Sequence, residues 1–210
     1  MSEEQKSSTK RKRSTFGVVF LIIFLDMVGF SVIFPLFPDM LDYYLERESE
    51  GGILKSFVAS IEGMSFDADE SSNQSFRFET VIFGGVLGSL YAVLQFFFAP
   101  IWGRLSDKYG RRPILLMTVG GTCLGYGLWV FAGSFWVLVL SRIVGGIASG
   151  NLSVATASIA DVTSRESRSK GMALVGVAFG LGFILGPALG GLASLAAPLG
   201  GDSQGAFVLN

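Results

Sequence analysis

Two charged residues stand inside runs of apolar sequence, and they are the first candidates for chemistry in this chain. Asp26 lies about ten residues into the apolar run that begins at Phe16 and includes LIIFLDMVGFSVIF, and Arg142 about seven residues into FWVLVLSRIVGG. A charge at mid-bilayer costs on the order of 3 kcal/mol, so each needs a use or a partner. Gln95, Asn151, Ser153 and Thr156 share the same kind of run. Their amide and hydroxyl groups suit either ligand binding or hydrogen bonds between helices. The sequence has no histidine and one cysteine, Cys123. The commonest metal ligand and general base is therefore absent, a disulfide framework is excluded, and carboxylates are left to handle protons. Neither metal-dependent nor hydrolytic chemistry is expected, and the chain does not read as an enzyme.

The elements that must position these residues follow from composition. Half of the residues are hydrophobic and 16% are charged, well below the roughly 25% of soluble domains. A helix needs about 20 apolar residues to cross a bilayer. Five stretches qualify, near 16–38, 81–102, 113–133, 135–160 and 171–196, which predicts an all-α integral membrane protein. At 1.5 Å per residue, Asp26 lies about 15 Å deep in the first span. Arg142 enters the fourth span from the other side, and the two depths differ by only about 5 Å, so an ion pair between them is one expectation. Its alternatives are a structural pair that fixes packing and a functional pair in a cavity.

Charge orders the connectors. The tail 1–15 carries five bases, the 103–112 connector four and the 161–170 connector three, whereas the loop 39–80 has ten acids against three bases. The positive-inside rule then puts the N-terminus and both basic connectors in the cytoplasm. The basic run KSSTKRKR directly precedes a span, so it is read as a topology signal, and no nucleic-acid partner is expected. The loop 39–80 reads as a solvated acidic loop with one apolar turn. Its alternative is a short amphipathic helix, because Ile53, Leu54, Phe57, Val58, Ile61 and Met64 recur at helical spacing. Asn73-Gln74-Ser75 fits the N-glycosylation pattern. Residues 197–210 read as an external loop and the start of a sixth span, so the domain reading is a tail (1–15), a transmembrane half-bundle (16–196) and a partial continuation.

The 28 glycines recur as small-xxx-small pairs, Gly84/Gly88, Gly121/Gly125, Gly146/Gly150, Gly176/Gly180 and Gly182/Gly186/Gly190, the spacing by which membrane helices approach closely. Pro35 and Pro38 are expected to end the first span, and Pro187 to break the fifth. The connector GRLSDKYGRRP (103–113) holds one acid among four bases. Gly103 and Gly110 are expected to shape its turn, and Asp161 is placed to pair with Arg111 or Arg112. Topology explains the bases but not Asp107.

These residues resemble the major facilitator superfamily. GRLSDKYGRRP is similar to the loop signature between its second and third spans, and here it joins those same spans. Val28-Gly29 with Pro35 and Pro38 resembles the first-span motif of the drug:proton antiporter branch, and Arg142 with Gly146 its fourth-span arginine motif. Gly182, Gly186, Pro187, Gly190 and Gly191 resemble the fifth-span antiporter motif. The twelve-span branch that includes tetracycline efflux proteins is the most similar. Two features depart from the pattern: Gly145 stands where that branch often has glutamine, and the loop 39–80 is long. The resemblance implies a helix bundle of which five of twelve spans are present, with a missing C-terminal half as partner. It further implies alternating access around a central cavity walled by Asp26 and Arg142, with Gln95 and Asn151 nearby. A conformational latch would be built on Gly103, Asp107, Gly110, Arg111, Arg112 and Asp161. The activity implied is proton-coupled efflux of a small molecule at the cell membrane, driven by the proton gradient without a cofactor. The alternatives are a metabolite symporter or facilitator of the same fold, and a non-transporting membrane sensor.

Overall fold

The computed structural model describes residues 3–49, 51–62 and 78–196, and among them every regular element is helical. In chain order these are α1 (Glu3–Ser31), a 3-10 turn (Phe34–Leu36), α2 (Phe37–Arg47), α3 (Ile53–Glu62) and α4 (Phe78–Tyr109), followed by α5 (Arg111–Val130), α6 (Phe135–Ala148), α7 (Asn151–Val162) and α8 (Arg168–Ala196). Five helical stretches are long and apolar enough to cross a membrane: Thr15–Arg47, Glu79–Tyr109, Arg111–Val130, Phe135–Val162 and Arg168–Leu195. The five expected spans are all present. Their helices satisfy their own backbone groups, as a bilayer core requires.

Several boundaries differ from the sequence reading, each for a local reason. The first span does not stop at Pro38 but runs on to Arg47. Pro35 opens the 3-10 turn and Pro38 the first turn of α2, positions where the missing N–H is not needed. The prolines bend the span without ending it. Pro187 lies inside an unbroken α8, as Pro100 does in α4, so the expected break in the fifth span is absent. The connector 103–112 is mostly helix: α4 continues to Tyr109, and Gly110 alone, at φ +96°, makes the turn into α5. That backbone conformation favours glycine. Gly103 is therefore helical, and its role is close approach, since a Cβ there would lie 3.2 Å from Ser153 Oγ of α7. The fourth span is interrupted at Ser149 and Gly150, between α6 and α7. The local hint in the 135–160 run is the Ser149-Gly150 dipeptide, a pair that favours turns.

The acidic 39–80 segment is not a plain loop. Its first part is α2, and the amphipathic alternative is what forms at 53–62. Leu54 and Val58 are buried whereas Ile53 is exposed. Both Glu48 carboxylate oxygens accept from the free N–H groups at the start of α3, Leu54 at 3.2 Å and Lys55 at 2.8 Å, which satisfies donors that have no partner inside the helix. Met64, Asn73-Gln74-Ser75 and residues 197–210 lie outside the described residues.

Packing divides into two centres. Val19, Ile23 and Met27 of α1 meet Ala155 and Ile159 of α7 and Val175 and Ala178 of α8. At the other end, Ile33 and Leu36 gather with Met40, Leu41, Tyr43 and Tyr44 of α2, with Leu54 and Val58 of α3, and with Phe83, Leu87 and Leu138. Tyr44 Oη donates to Ala132 O at 2.7 Å and ties α2 to the turn between α5 and α6. The α1–α8 seam is glycine-lined. A Cβ at Gly182 would lie 2.7 Å from Phe24 O, and Ser31 Oγ bonds to Gly182 O at 3.2 Å. Gly121, Gly125, Gly146 and Gly150 also sit against neighbouring helices, and Gly84 packs against Phe37, but Gly88, Gly176 and Gly180 have nothing near them, so the Gly176/Gly180 pair and half of Gly84/Gly88 mark no contact here.

The three basic segments reach one end of the bundle. Phe16 and Thr163 both approach Gly171, and Arg111 meets Asp161. At the opposite end Ser194 Oγ donates to Asp39 Oδ2 at 3.0 Å, and Tyr44 bonds to Ala132 O.

Candidate functional site

α1, α5 and α7 converge on Asp26 at mid-bundle. Its side chain accepts a hydrogen bond from Asn151 Nδ2 at 3.2 Å, and the same nitrogen donates to Thr122 Oγ1 at 3.1 Å. Asp26 is 7% exposed and Asn151 2%. Tyr126 Oη donates to the Asp26 backbone carbonyl at 3.3 Å. The carboxylate is thus held by one amide, in a setting where a bare charge is costly. Asn151 can take this position because the α6–α7 break makes it the first residue of α7.

Arg142 does not join this group. Among the described residues no ion pair links Asp26 and Arg142, which corrects the expected pairing: α5 supplies Asn151's second acceptor beside Asp26, and the guanidinium lies over Trp129. Arg142, 5% exposed, lies 5.1 Å over the Trp129 ring, and its Nε donates to Ser141 Oγ at 3.4 Å. Tyr91 and Tyr126 are each within electrostatic reach of both Asp26 and Arg142. Both charges are interior to the half-bundle rather than on an open wall. Arg142 borders a narrow cavity of about 10 Å³ with Phe30, Phe34 and Tyr91, room for no more than about one water. Gln95 also stands apart from Asp26, since its Nε2 reaches Ser149 O at 3.5 Å.

The sequence reading missed Thr122, Tyr126, Tyr91 and Trp129. A signal for the first two was present, because Thr118, Thr122 and Tyr126 recur every four residues and so share one face of α5. Thr122 Oγ1 in turn donates to Thr118 O at 2.9 Å.

A second centre forms at the basic end. Arg111 Nη1 contacts Asp107 Oδ1 at 2.6 Å, Arg111 Nε contacts Asp161 Oδ2 at 2.7 Å, and Nη1 also reaches Ser106 Oγ at 2.6 Å. One guanidinium therefore joins the end of α4 to the end of α7. Of the two expected partners for Asp161, Arg111 is the one that pairs, and Arg112 is exposed without a carboxylate partner among the described residues. Asp107 and Asp161 side chains are 64% and 53% exposed. Pairs this open add about 0–1 kcal/mol to stability, so the cluster places charge more than it holds the fold. The third set, Gly182, Gly186 and Gly190, forms the α8 side of the seam with α1, with Pro187 half-buried beside them and nothing near Gly191.

The sequence profile described as Major Facilitator Superfamily matches residues 19–210. The chain is 40% identical over 185 residues to human "Major facilitator superfamily domain-containing protein 10", covering 85% of this chain and 38% of that protein. It is 37% identical over 179 residues to "Tetracycline resistance protein, class E" of Escherichia coli, covering 85% of this chain and 37% of that protein. The class B protein of Escherichia coli is 35% identical over 185 residues, with 88% and 39% covered. The chain thus spans less than two-fifths of the length of these relatives. With five apolar spans, the loop signature between the second and third, and a profile match over most of its length, the chain belongs to the major facilitator superfamily and is part of a multi-pass membrane protein.

Proposed function

We propose that this chain is the N-terminal half of a secondary active transporter that exports a small molecule in exchange for protons, by alternating access. The observation that carries this reading is Asp26, a buried mid-span carboxylate held by one amide donor and without a cation partner among the described residues. A group so placed is readily switched between charged and neutral by one proton, and each form favours a different packing around it. The printed names of two relatives, tetracycline resistance proteins, support export and supply a probe. Arg142, walled by Tyr91, Phe30 and Phe34, is assigned to the substrate side, and the Asp107–Arg111–Asp161 cluster to the latch that holds one access state. The remaining half of the central cavity belongs to the C-terminal half of the same protein. The proton gradient is the energy source, the membrane is that of the cell, and the basic end with the N-terminus faces the cytoplasm.

The test is flux in proteoliposomes of the full-length protein, with tetracycline and a panel of amphiphilic dyes as probes. Antiport predicts accumulation of a probe in vesicles made acidic inside. Accumulation only when the outside is acidic identifies a symporter instead, and flux that ignores the gradient identifies a facilitator.

A further inference from the structure

The two halves of the fourth span are tied to different helices. On the α6 side, the carbonyls freed by the break are taken by α4: Trp102 Nε1 donates to Ile147 O at 2.6 Å, and Gln95 Nε2 to Ser149 O. Gly150 fits against the Trp102 side chain, where a Cβ would lie 2.6 Å from Trp102 Cγ. On the α7 side, Asn151 binds α1 through Asp26 and α5 through Thr122. The backbone link between them is slight, with Gly150 N donating only to Ala148 O at 2.7 Å. α7 itself contains neither glycine nor proline. Its far end carries Asp161, about 15 Å from Asn151 at 1.5 Å per residue, on Arg111.

We propose that α7 is a rigid coupling rod that pivots at Ser149–Gly150 and carries the proton state of Asp26 to the Arg111 cluster, with Asn151 as its positioning residue and Trp102 as the anchor of its fixed side. This rests on the reading of Asp26 as the proton carrier. The charged carboxylate receives a charge-assisted bond from Asn151, about twice as strong as a neutral one. Protonation removes that advantage and creates an O–H donor. Asn151 Oδ1, buried with no partner, is the acceptor that this O–H can use once the amide turns over. Turning it withdraws Nδ2 from Thr122, so the first turn of α7 loosens from α5 while α6 stays on α4. The movement reaches Asp161 because nothing in α7 bends. Other ionisable groups near Asp26 are Tyr91 on α4, Tyr126 on α5 and Arg142 on α6. On α7 the sole ionisable residue is Asp161, and on α8 they are Arg168 and Lys170, all at the basic end.

The experiment uses full-length protein with Cys123 replaced by serine and spin labels introduced at the ends of α4 and α7. Two signals are followed across pH: the label-to-label distance distribution and the infrared carboxyl band of protonated Asp26. In the parent the ratio of the two distance populations shifts by about tenfold across the titration, within the range of coupled equilibria. Asn151→Ala keeps the Asp26 band but loses that shift. Trp102→Phe keeps an aromatic ring but removes the indole N–H, and it reduces the shift while leaving the band in place. A full shift in both variants overturns the coupling proposal while leaving Asp26 as proton carrier. A titrating band that survives Asp26→Asn overturns the underlying reading instead.

Discussion

Asp26 and Arg142 stand out in the sequence because charge is rare in apolar runs, but which groups they meet was set by neighbours on other spans. Asn151 was legible as a polar candidate, and the structure sets it, rather than Arg142, against the Asp26 carboxylate. The break that aims Asn151 had only a weak local signal, the Ser149-Gly150 turn dipeptide, and the carbonyls it frees are taken by Trp102 and Gln95 of another span. Single residues at the basic end give the sharpest prediction at this scale. Asp107→Asn leaves one acid on Arg111 instead of two, and because the pair is exposed the loss of stability stays under about 1 kcal/mol. Accessibility nevertheless shifts toward the inward-open state. Cysteine labelling from the face that carries the basic connectors checks this, and unchanged labelling with unchanged melting refutes the latch assignment.

At the scale of elements, the seam between α1 and α8 depends on the absence of side chains. Gly182→Ala pushes a methyl group against Phe24 O and Met27, an overpacking that costs about 1–3 kcal/mol. Gly120→Ala has open space around it and stays within about 0.5 kcal/mol of the parent. Thermal unfolding in detergent distinguishes them, and equal melting shifts would show that the seam is not tight. The fifth-span motif was thus readable by spacing, but Gly191 and the Gly176/Gly180 pair show that spacing alone does not say which glycines touch a partner. On the opposite side, Tyr44→Phe leaves Ala132 O buried without its donor, at a cost of about 1–3 kcal/mol on the same assay. α2 and α3 were the least legible elements. Their acidic residues read as loop, although Glu48 is spent on the free N–H groups of α3 and the arginine at 47 stacks on Tyr43 at 4.1 Å.

For the whole molecule, hydropathy and charge order were enough to place five spans, because each must satisfy its backbone alone and the basic connectors alternate with the others. The structure gathers those connectors at one end, with α2 and α3 at the other, as the alternation requires. The cavity lay beyond such reading, since the helices pack closely around both Asp26 and Arg142. Alternating access then needs two states of similar free energy whose balance a proton can tip. Proton counterflow during transport tests this most directly, followed with a pH-sensitive dye in proteoliposomes of full-length parent protein and of Asp26→Asn, using a probe the parent transports. Exchange of internal for external probe in Asp26→Asn, with no gradient imposed, verifies that the variant is folded and binds. The predicted result is preserved exchange with proton counterflow abolished; counterflow in Asp26→Asn equal to that of the parent would contradict the account.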